Sequence, residues 1–229
     1  MKPQAVEAII PAAGRGERLN SKVPKPLVRI DSKPILAYCL EALAGNKSIS
    51  RIVIAVSEEN REAFNAALRK FRLLKRVSLV SGGESRQESV AHCLGELGRD
   101  TGFVLIHDAA RPFLSGRLVA DCLKEARISG AVVCGLPARA TMKRVESGWV
   151  KETLKREDIW EIQTPQVFRK DMLLKAYAKF KNISATDDAS LVERLGVKVK
   201  VIKGSYYNIK ITTPEDLVFA KAIAKQADV

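Results

Sequence analysis

At about 150 residues per domain, 229 residues make one large domain, long enough to bury a core without disulfide or metal staples. Hydrophobic residues make up 46% and charged residues 28%, which excludes a disordered chain, and no run approaches the ~18 apolar residues of a membrane helix. Lys and Arg number 39 against 26 Asp and Glu, a net charge of +13 that favours polyanionic partners: nucleic acid, anionic membrane or phosphorylated small molecules.

Val6–Pro11 is a short apolar run that ends in a glycine-rich loop, Ala12–Ser21. Acidic Glu7 falls where a secretory leader needs its apolar core, so the expectation is a cytoplasmic protein. Ser32-Lys33-Pro34 predicts a helix start, with Ser32 as N-cap and Pro34 in the first turn, running to about Leu43. Arg51–Val56 is β-branched and short, a buried strand. Phe64, Ala67, Leu68 and Phe71 share one helix face within Glu58–Phe71. Val77–Val80 is a strand, Ser81–Ser85 a loop, Gln87–Leu97 a helix and Phe103–His107 another buried strand, with Asp108 directly after it. Leu118–Ile128 reads as a helix and Ala131–Leu136 as a fifth strand. Thr141–Val145 and Trp149–Leu154 flank Ser147-Gly148 and predict a β-hairpin. A lone hairpin is unstable in water, so it must lie on its own domain or on a partner chain. Gln163–Phe168 and Lys198–Ile202 are further strands, with helices at Met172–Phe180 and Ala189–Leu195 between them. A last helix starts at Pro214 and runs to about Ala227. With no linker or repeat, residues 1–229 are expected to form one domain with an inserted arm at about 137–158.

Alternating units with nearly continuous apolar strands imply an α/β fold, a parallel sheet covered on both faces. Ligands in such sheets bind outside the carboxyl ends of the strands. Ala12–Ser21, Ser81–Ser85 and Asp108–Arg111 all follow strands, so all three are expected at one edge. The cysteines at 39, 93, 122 and 134 have no C-x-x-C spacing, and there are two histidines; buried reduced thiols are expected and a zinc site is not.

Pro11-Ala12-Ala13-Gly14-Arg15-Gly16-Glu17-Arg18-Leu19, followed by Pro24-Lys25-Pro26, is neither a Walker A loop nor a dinucleotide fingerprint. Its small residues let backbone N–H groups approach phosphate, Arg18 can fork onto phosphate oxygens, and Lys25 adds a point charge. The plain alternative is a tight turn with two surface cations, and the combined spacing favours phosphate binding. Asp108 can cap a turn, or hold Mg²⁺ against a triphosphate. His107 ends an apolar strand and reads as a hydrogen-bonded structural residue rather than a base. In Ser81–Ser89 the glycines and a serine hydroxyl can read the edge of a base, or the segment is simply a loop and helix start. From Met1 to Ile30 six residues are basic and two acidic, whereas elsewhere the charges alternate. That pattern, with 6% aromatic residues, fits a phosphate site and not a nucleic-acid stripe.

The Ala12–Leu27 region resembles the nucleotidyltransferase superfamily that makes NDP-sugars and CDP-alcohols. A collinear set of motifs adds to it: His-Asp-Ala-Ala-Arg-Pro, Thr-Met-Lys, Thr-Pro-Gln, Thr-Asp-Asp-Ala-Ser and Asn-Ile-Lys-Ile-Thr. Spread from residue 11 to 216, the set closely resembles the 2-C-methyl-D-erythritol 4-phosphate cytidylyltransferase family. The resemblance implies a Rossmann-like α/β fold, mostly parallel with helices on both faces, and a β-arm that embraces a second subunit to give a homodimer. It implies a Mg²⁺-dependent reaction of CTP with a phosphopolyol, in non-mevalonate isoprenoid synthesis, with no nucleic acid or membrane as partner. By the same resemblance Ala12, Ala13, Gly14, Gly16, Gly83 and Ser89 bind the nucleotide. Arg18 and Lys25 are the catalytic cations on the triphosphate, and Asp108 holds the metal. Arg111, Thr164, Thr186 and Lys210 take the phosphopolyol, with Thr141 and Arg156 reaching over on the partner's arm. The plain alternatives are an exposed hairpin face for Thr141 and Arg156, a helix N-cap for Thr186 and a strand surface for Lys210. Pro26 stands where the family often has Gln, as in relatives acting on sugars, and ribitol 5-phosphate is the rival acceptor.

Overall fold

The computed structural model describes residues 4–14, 16, 19, 23–71 and 76–226. Among these, one seven-stranded sheet organises the chain. Its strands are β1 (Ala5–Pro11), β4 (Ile49–Val56), β5 (Val77–Ser81), β6 (Thr101–Ile106), β7 (Ala131–Pro137), β10 (Trp160–Arg169) and β11 (Lys200–Lys203). Their order is β11-β7-β10-β6-β1-β4-β5. β1, β4, β5 and β6 pair in parallel, as do β7 and β11, while β10 is antiparallel to both its neighbours. The direction of β10 follows from the connection: the chain leaves the end of β7, travels through the arm and re-enters at that same end. The ladder between β10 and β7 skips from Gln163 to Gln166, because Pro165 has no N–H to offer it.

Helices cover both faces. On one lie α1 (Ile35–Gly45), α2 (Arg61–Lys70) and α4 (Gly116–Ser129), sealing a core that includes Ile10, Leu40, Ile54, Phe64 and Leu105. On the other lie α3 (Arg86–Gly95), α5 (Lys170–Lys179) and α6 (Asp188–Glu193), over Ile9, Val53, Ile106 and Phe168. Alternate residues of β1 thus enter opposite cores, as a sheet covered twice requires. The last helix, α7 (Pro214–Ala224), closes a smaller cluster of Leu19, Ile30, Ile35, Phe113 and Ile211.

The first helix begins later than its cap signal suggests. Lys33–Pro34 forms a short strand, β3, paired with β2 (Arg29–Ile30) across a turn in which Asp31 takes a left-handed φ of 52°. Pro34, not Ser32, occupies the N-cap, and the Ile35 amide donates to Val28 O. The hairpin's backbone pairing wins over the serine cap. Residues 58–60 form a separate 3-10 turn ahead of α2.

The arm is β8 (Lys143–Glu146) and β9 (Trp149–Thr153), joined through Ser147 and Gly148, both with positive φ (49° and 84°). Two left-handed residues match the twist of a two-residue hairpin loop. Every residue of both strands is exposed, Trp149 to 81%. All four cysteines are buried free thiols. Among the described residues no helix is long and apolar enough to cross a membrane.

Candidate active site

Three loops leave the carboxyl edge of the sheet, and each is pinned by one further rung of the parallel ladder. The Ala12 amide donates to Ala55 O, Gly82 to Val56 O and His107 to Ile9 O, at 2.8, 2.8 and 2.9 Å. They frame one cleft, whose deeper part is lined by Ala12, Ala13, Gly14, Lys25, Gly83, Arg86, Ser89, Asp108 and Lys210. Its outer part is a cavity of about 1120 Å³ reaching Gly16, Ser57, Glu58 and Gly82. That exceeds what a drug-sized ligand fills, leaving space for a nucleoside triphosphate and a second substrate.

Glycine is required at two points of the rim. Gly16 has φ +66°, and a Cβ there would stand 2.8 Å from Lys25 Cβ. A Cβ on Gly82 would collide with that of Ala13, so the first and second loops can touch only through glycine. Gly83 donates its amide to the buried Ser89 hydroxyl at 3.1 Å. Ser85 and Glu88 form a capping box at the start of α3, which places Arg86 at its first position. Lys25 donates from Nζ to Ile211 O at 3.2 Å, and the Ile211 amide donates to Ala110 O, tying the first cation to the third loop.

Asp108 is the electrostatic centre. It is buried, and its Oδ1 meets Arg86 Nε at 3.1 Å while its Oδ2 meets Lys210 Nζ at 2.9 Å and Arg111 Nε at 3.9 Å. Burial works against its charge, but Arg86, Lys210 and Arg111 outweigh it and hold the carboxyl well below the usual carboxylate range. Burial likewise opposes the charge on Arg86, and Asp188 and Asp108 overcome it, raising its pKa. The Asp108 amide donates to Thr164 Oγ1 at 3.0 Å. That hydroxyl also meets His107 Nδ1 at 3.1 Å, and His107 Nε2 meets Arg111 O at 3.0 Å. Burial pushes the His107 pKa down to about 4, so the ring is neutral at pH 7 and braces the loop, as its place on an apolar strand predicts. Arg111 is buried and donates from Nη1 to Asn208 O at 2.7 Å, while its Nε has no hydrogen-bond partner.

The sequence-derived positions therefore fall into groups. Ala12, Ala13, Gly14, Lys25, Gly83, Ser89, Asp108 and Lys210 line the deep cleft, and Gly16 its outer part. Thr164 and Arg111 lie just beneath, in contact with Asp108. Lys210 is in the connection between β11 and α7 and not on a strand surface. Thr141, Arg156 and Thr186 are exposed and line neither part of the cleft; Arg156 donates to Arg139 O at 3.2 Å. The cap of α6 is Asp187, which accepts from the Ser190 amide, so Thr186 is not its N-cap. Arg18 lies outside the described residues.

Sequence reasoning gave no role to Arg86, although it lies within the Ser81–Ser89 segment, directly after Gly82-Gly83-Glu84-Ser85. A cation at the first turn of a helix, where the dipole disfavours it, was the available signal. Asp188, fully buried against Arg86 at 2.7 Å, was hidden inside Thr-Asp-Asp for want of any periodicity.

The model of the family described as 2-C-methyl-D-erythritol 4-phosphate cytidylyltransferase matches residues 6–226. The chain belongs to this family. Cytidylyltransferases of that description from Bacillus cereus and Desulforamulus reducens are 42% and 43% identical to it. The first alignment covers 95% of this chain and 96% of the relative, the second 96% of each. Among solved structures, the 4-diphosphocytidyl-2C-methyl-D-erythritol synthase of Anaerococcus prevotii superposes with a TM-score of 0.87 at 30% identity over 97% of both chains. The Thermus thermophilus cytidylyltransferase gives 0.80 at 32% identity over 96% of this chain and 99% of that one. The family fold, α/β with a mostly parallel central sheet and a hairpin, is the one described above.

Proposed function

We propose that the cleft framed by the three loops is where this chain transfers a cytidylyl group from CTP to 2-C-methyl-D-erythritol 4-phosphate, releasing pyrophosphate. The reaction follows from family membership across residues 6–226. The observation that supports this site is the convergence of Lys25, Arg86, Asp108 and Lys210 on one cleft beside small-residue loops.

The acceptor phosphate attacks the α-phosphorus of CTP in line, and pyrophosphate leaves. A phosphate monoester is already anionic near neutral pH, so no strong base is needed, in keeping with a neutral, inward-facing His107. The barrier is repulsion between two anions and the charge that grows at the transferring phosphorus. Lys25 and Arg18 meet the triphosphate and stabilise that charge by preorganised attraction. Backbone groups of Ala12, Ala13, Gly14, Gly16 and Gly83, with Ser89, hold the nucleotide close. Lys210 takes the acceptor with Arg111 and Thr164 beneath it, and Thr186, outside the lining, is assigned to the acceptor by the family resemblance alone.

Asp108 fits Mg²⁺ as its one protein carboxylate. No cluster of three or more acidic, His or Cys side chains exists among the described residues, and Mg²⁺ is commonly held by one or two carboxylates plus substrate phosphates. Arg86 and Lys210 each take one oxygen of Asp108, which leaves lone pairs on both. When bound, the ion supplies charge neutralisation on the phosphates. The exposed arm is read as the dimer contact, carrying Thr141 and Arg156 to the neighbouring cleft, in an enzyme working in the cytoplasm on small molecules.

Pyrophosphate release, measured with CTP, ATP, GTP and UTP against methylerythritol and ribitol phosphates, tests the assignment. Turnover is expected with CTP and methylerythritol 4-phosphate; preference for ribitol 5-phosphate, which Pro26 keeps in view, overturns the acceptor.

A further inference from the structure

We propose that Arg86 is a positioning residue for the transfer: it fixes the Asp108 carboxylate in the cleft and is itself fixed from behind by the buried Asp188. The inference rests on the role given above to Asp108. The guanidinium spans two carboxylates, Nε to Asp108 Oδ1 at 3.1 Å and Nη2 to Asp188 Oδ2 at 2.7 Å. Asp188 is fully buried, and its other oxygen accepts from Tyr177 Oη on α5. Asp188 opens α6, whose start is tied to β10 in both directions. Gln166 Nε2 donates to Asp187 Oδ2 at 2.7 Å, and Gln166 Oε1 accepts from the Ala189 amide at 3.2 Å. The same strand supplies Thr164, which accepts the Asp108 amide. Backbone and side chain of Asp108 are thus both set from β10 and α6, and Arg86 is the link on the side-chain path.

A planar fork serves two carboxylates at once in a fixed geometry, whereas an ammonium, a point charge with three rotatable donors, sets no plane between them. With Arg86 on Oδ1 and Lys210 on Oδ2, the plane of the Asp108 carboxylate is held from both ends. Loss of the fork frees that plane to follow the cations on Oδ2, Lys210 and Arg111.

The test compares Arg86→Lys, Tyr177→Phe, Asp108→Asn and the Arg86→Lys/Asp108→Asn double variant, reading kcat, KM for CTP and melting temperature. Arg86→Lys is expected to lower kcat about 10–100-fold, the usual cost of losing an outer partner of a site ligand, with KM for CTP moving far less. Tyr177→Phe should lower kcat in the same direction by less. The double variant should be no slower than Asp108→Asn alone, because Arg86 acts through Asp108. Arg86→Lys that lowers the melting temperature and keeps wild-type kcat, or losses that multiply in the double variant, overturns the proposal. If Arg86→Lys does not fold, unchanged kcat in Tyr177→Phe overturns it. Wild-type turnover in Asp108→Asn instead removes the role of Asp108 itself, whereas an inactive Asp108→Asn beside a fully active Arg86→Lys removes that of Arg86 alone.

Discussion

The cleft and the arm are opposite ways of carrying charged side chains. In the cleft, Asp108 is buried, meets three cations and donates its amide to a threonine hydroxyl. In the arm every strand residue is exposed, and its ion pairs, Arg144–Glu152 at 2.7 Å and Lys151–Glu146 at 2.6 Å, sit in water. Exposed pairs of that kind contribute about 0–1 kcal/mol each, so they do not explain why a hairpin bearing Trp149 and Val150 stands clear of the body. The cleft gathers its charged groups into one buried network, whereas the arm, proposed above as the dimer contact, leaves its own in solvent. Substitutions should therefore act on chemistry and stability in the first region and on assembly in the second.

The largest effect is expected at Lys25. Lys25→Ala removes a preorganised cation and should cost about 10²–10³-fold in turnover while leaving the melting temperature near that of the parent. Steady-state kinetics with CTP check it, and full activity would take Lys25 out of the chemistry.

Next comes His107, where the buried wiring itself sets stability. An unfolded histidine takes a proton below its ordinary value of 6.5, while the buried ring resists until about 4. Between those values the unfolded chain binds more protons, so stability rises with pH across that window. The contribution is complete above pH 6.5 and lost as pH falls to about 4, a span worth roughly 3 kcal/mol. Urea unfolding at a series of pH values should show that slope in the parent and a flatter one in His107→Gln. Equal slopes would mean that the ring is not held neutral.

The same contrast explains what the sequence revealed. The central strands β1, β4, β6 and β7 were legible because burial on both faces makes each a nearly continuous apolar run, and the loops after β1 and β6 then fell at one edge without further assumption. Ser147-Gly148 announced the hairpin because few residues take two left-handed φ values in succession. The reversed direction of β10 was not legible, since an antiparallel strand buried in mid-sheet has the same apolar pattern as a parallel one. Ser32 misled because a cap competes with any other use of the same backbone, here the β2–β3 pairing. The Asp188–Arg86–Asp108 link joins residues 102 and 22 positions apart, and no local pattern records such a contact.

The arm supplies the assembly prediction. Trp149→Ser with Val150→Ser should leave the unfolding transition of the body unchanged, because neither residue packs into it. If the arm joins two chains, the variant shifts toward monomer in sedimentation equilibrium and loses activity on dilution. A sharper form mixes two impaired chains, Lys25→Ala and Arg156→Ala. If Arg156 serves the neighbour's cleft, mixed dimers regain one intact site and the mixture recovers turnover that neither chain has alone. No recovery, with dimers present, would confine Arg156 to its own chain.

Thr186 carries the smallest expected change and the one that separates two uses of a single residue. It is exposed, and the cap of α6 belongs to its neighbour Asp187. Asp187→Ala should therefore destabilise by about 1 kcal/mol, the usual cost of a lost cap, and more if the Gln166 tie is lost with it. Thr186→Ala should move stability by no more than about 0.5 kcal/mol, as surface changes do. If Thr186 touches the acceptor, its loss raises the KM for methylerythritol 4-phosphate and leaves that for CTP alone. If both KM values stay put, Thr186 belongs with the solvated surface and the acceptor is held by Arg111, Thr164 and Lys210 without it.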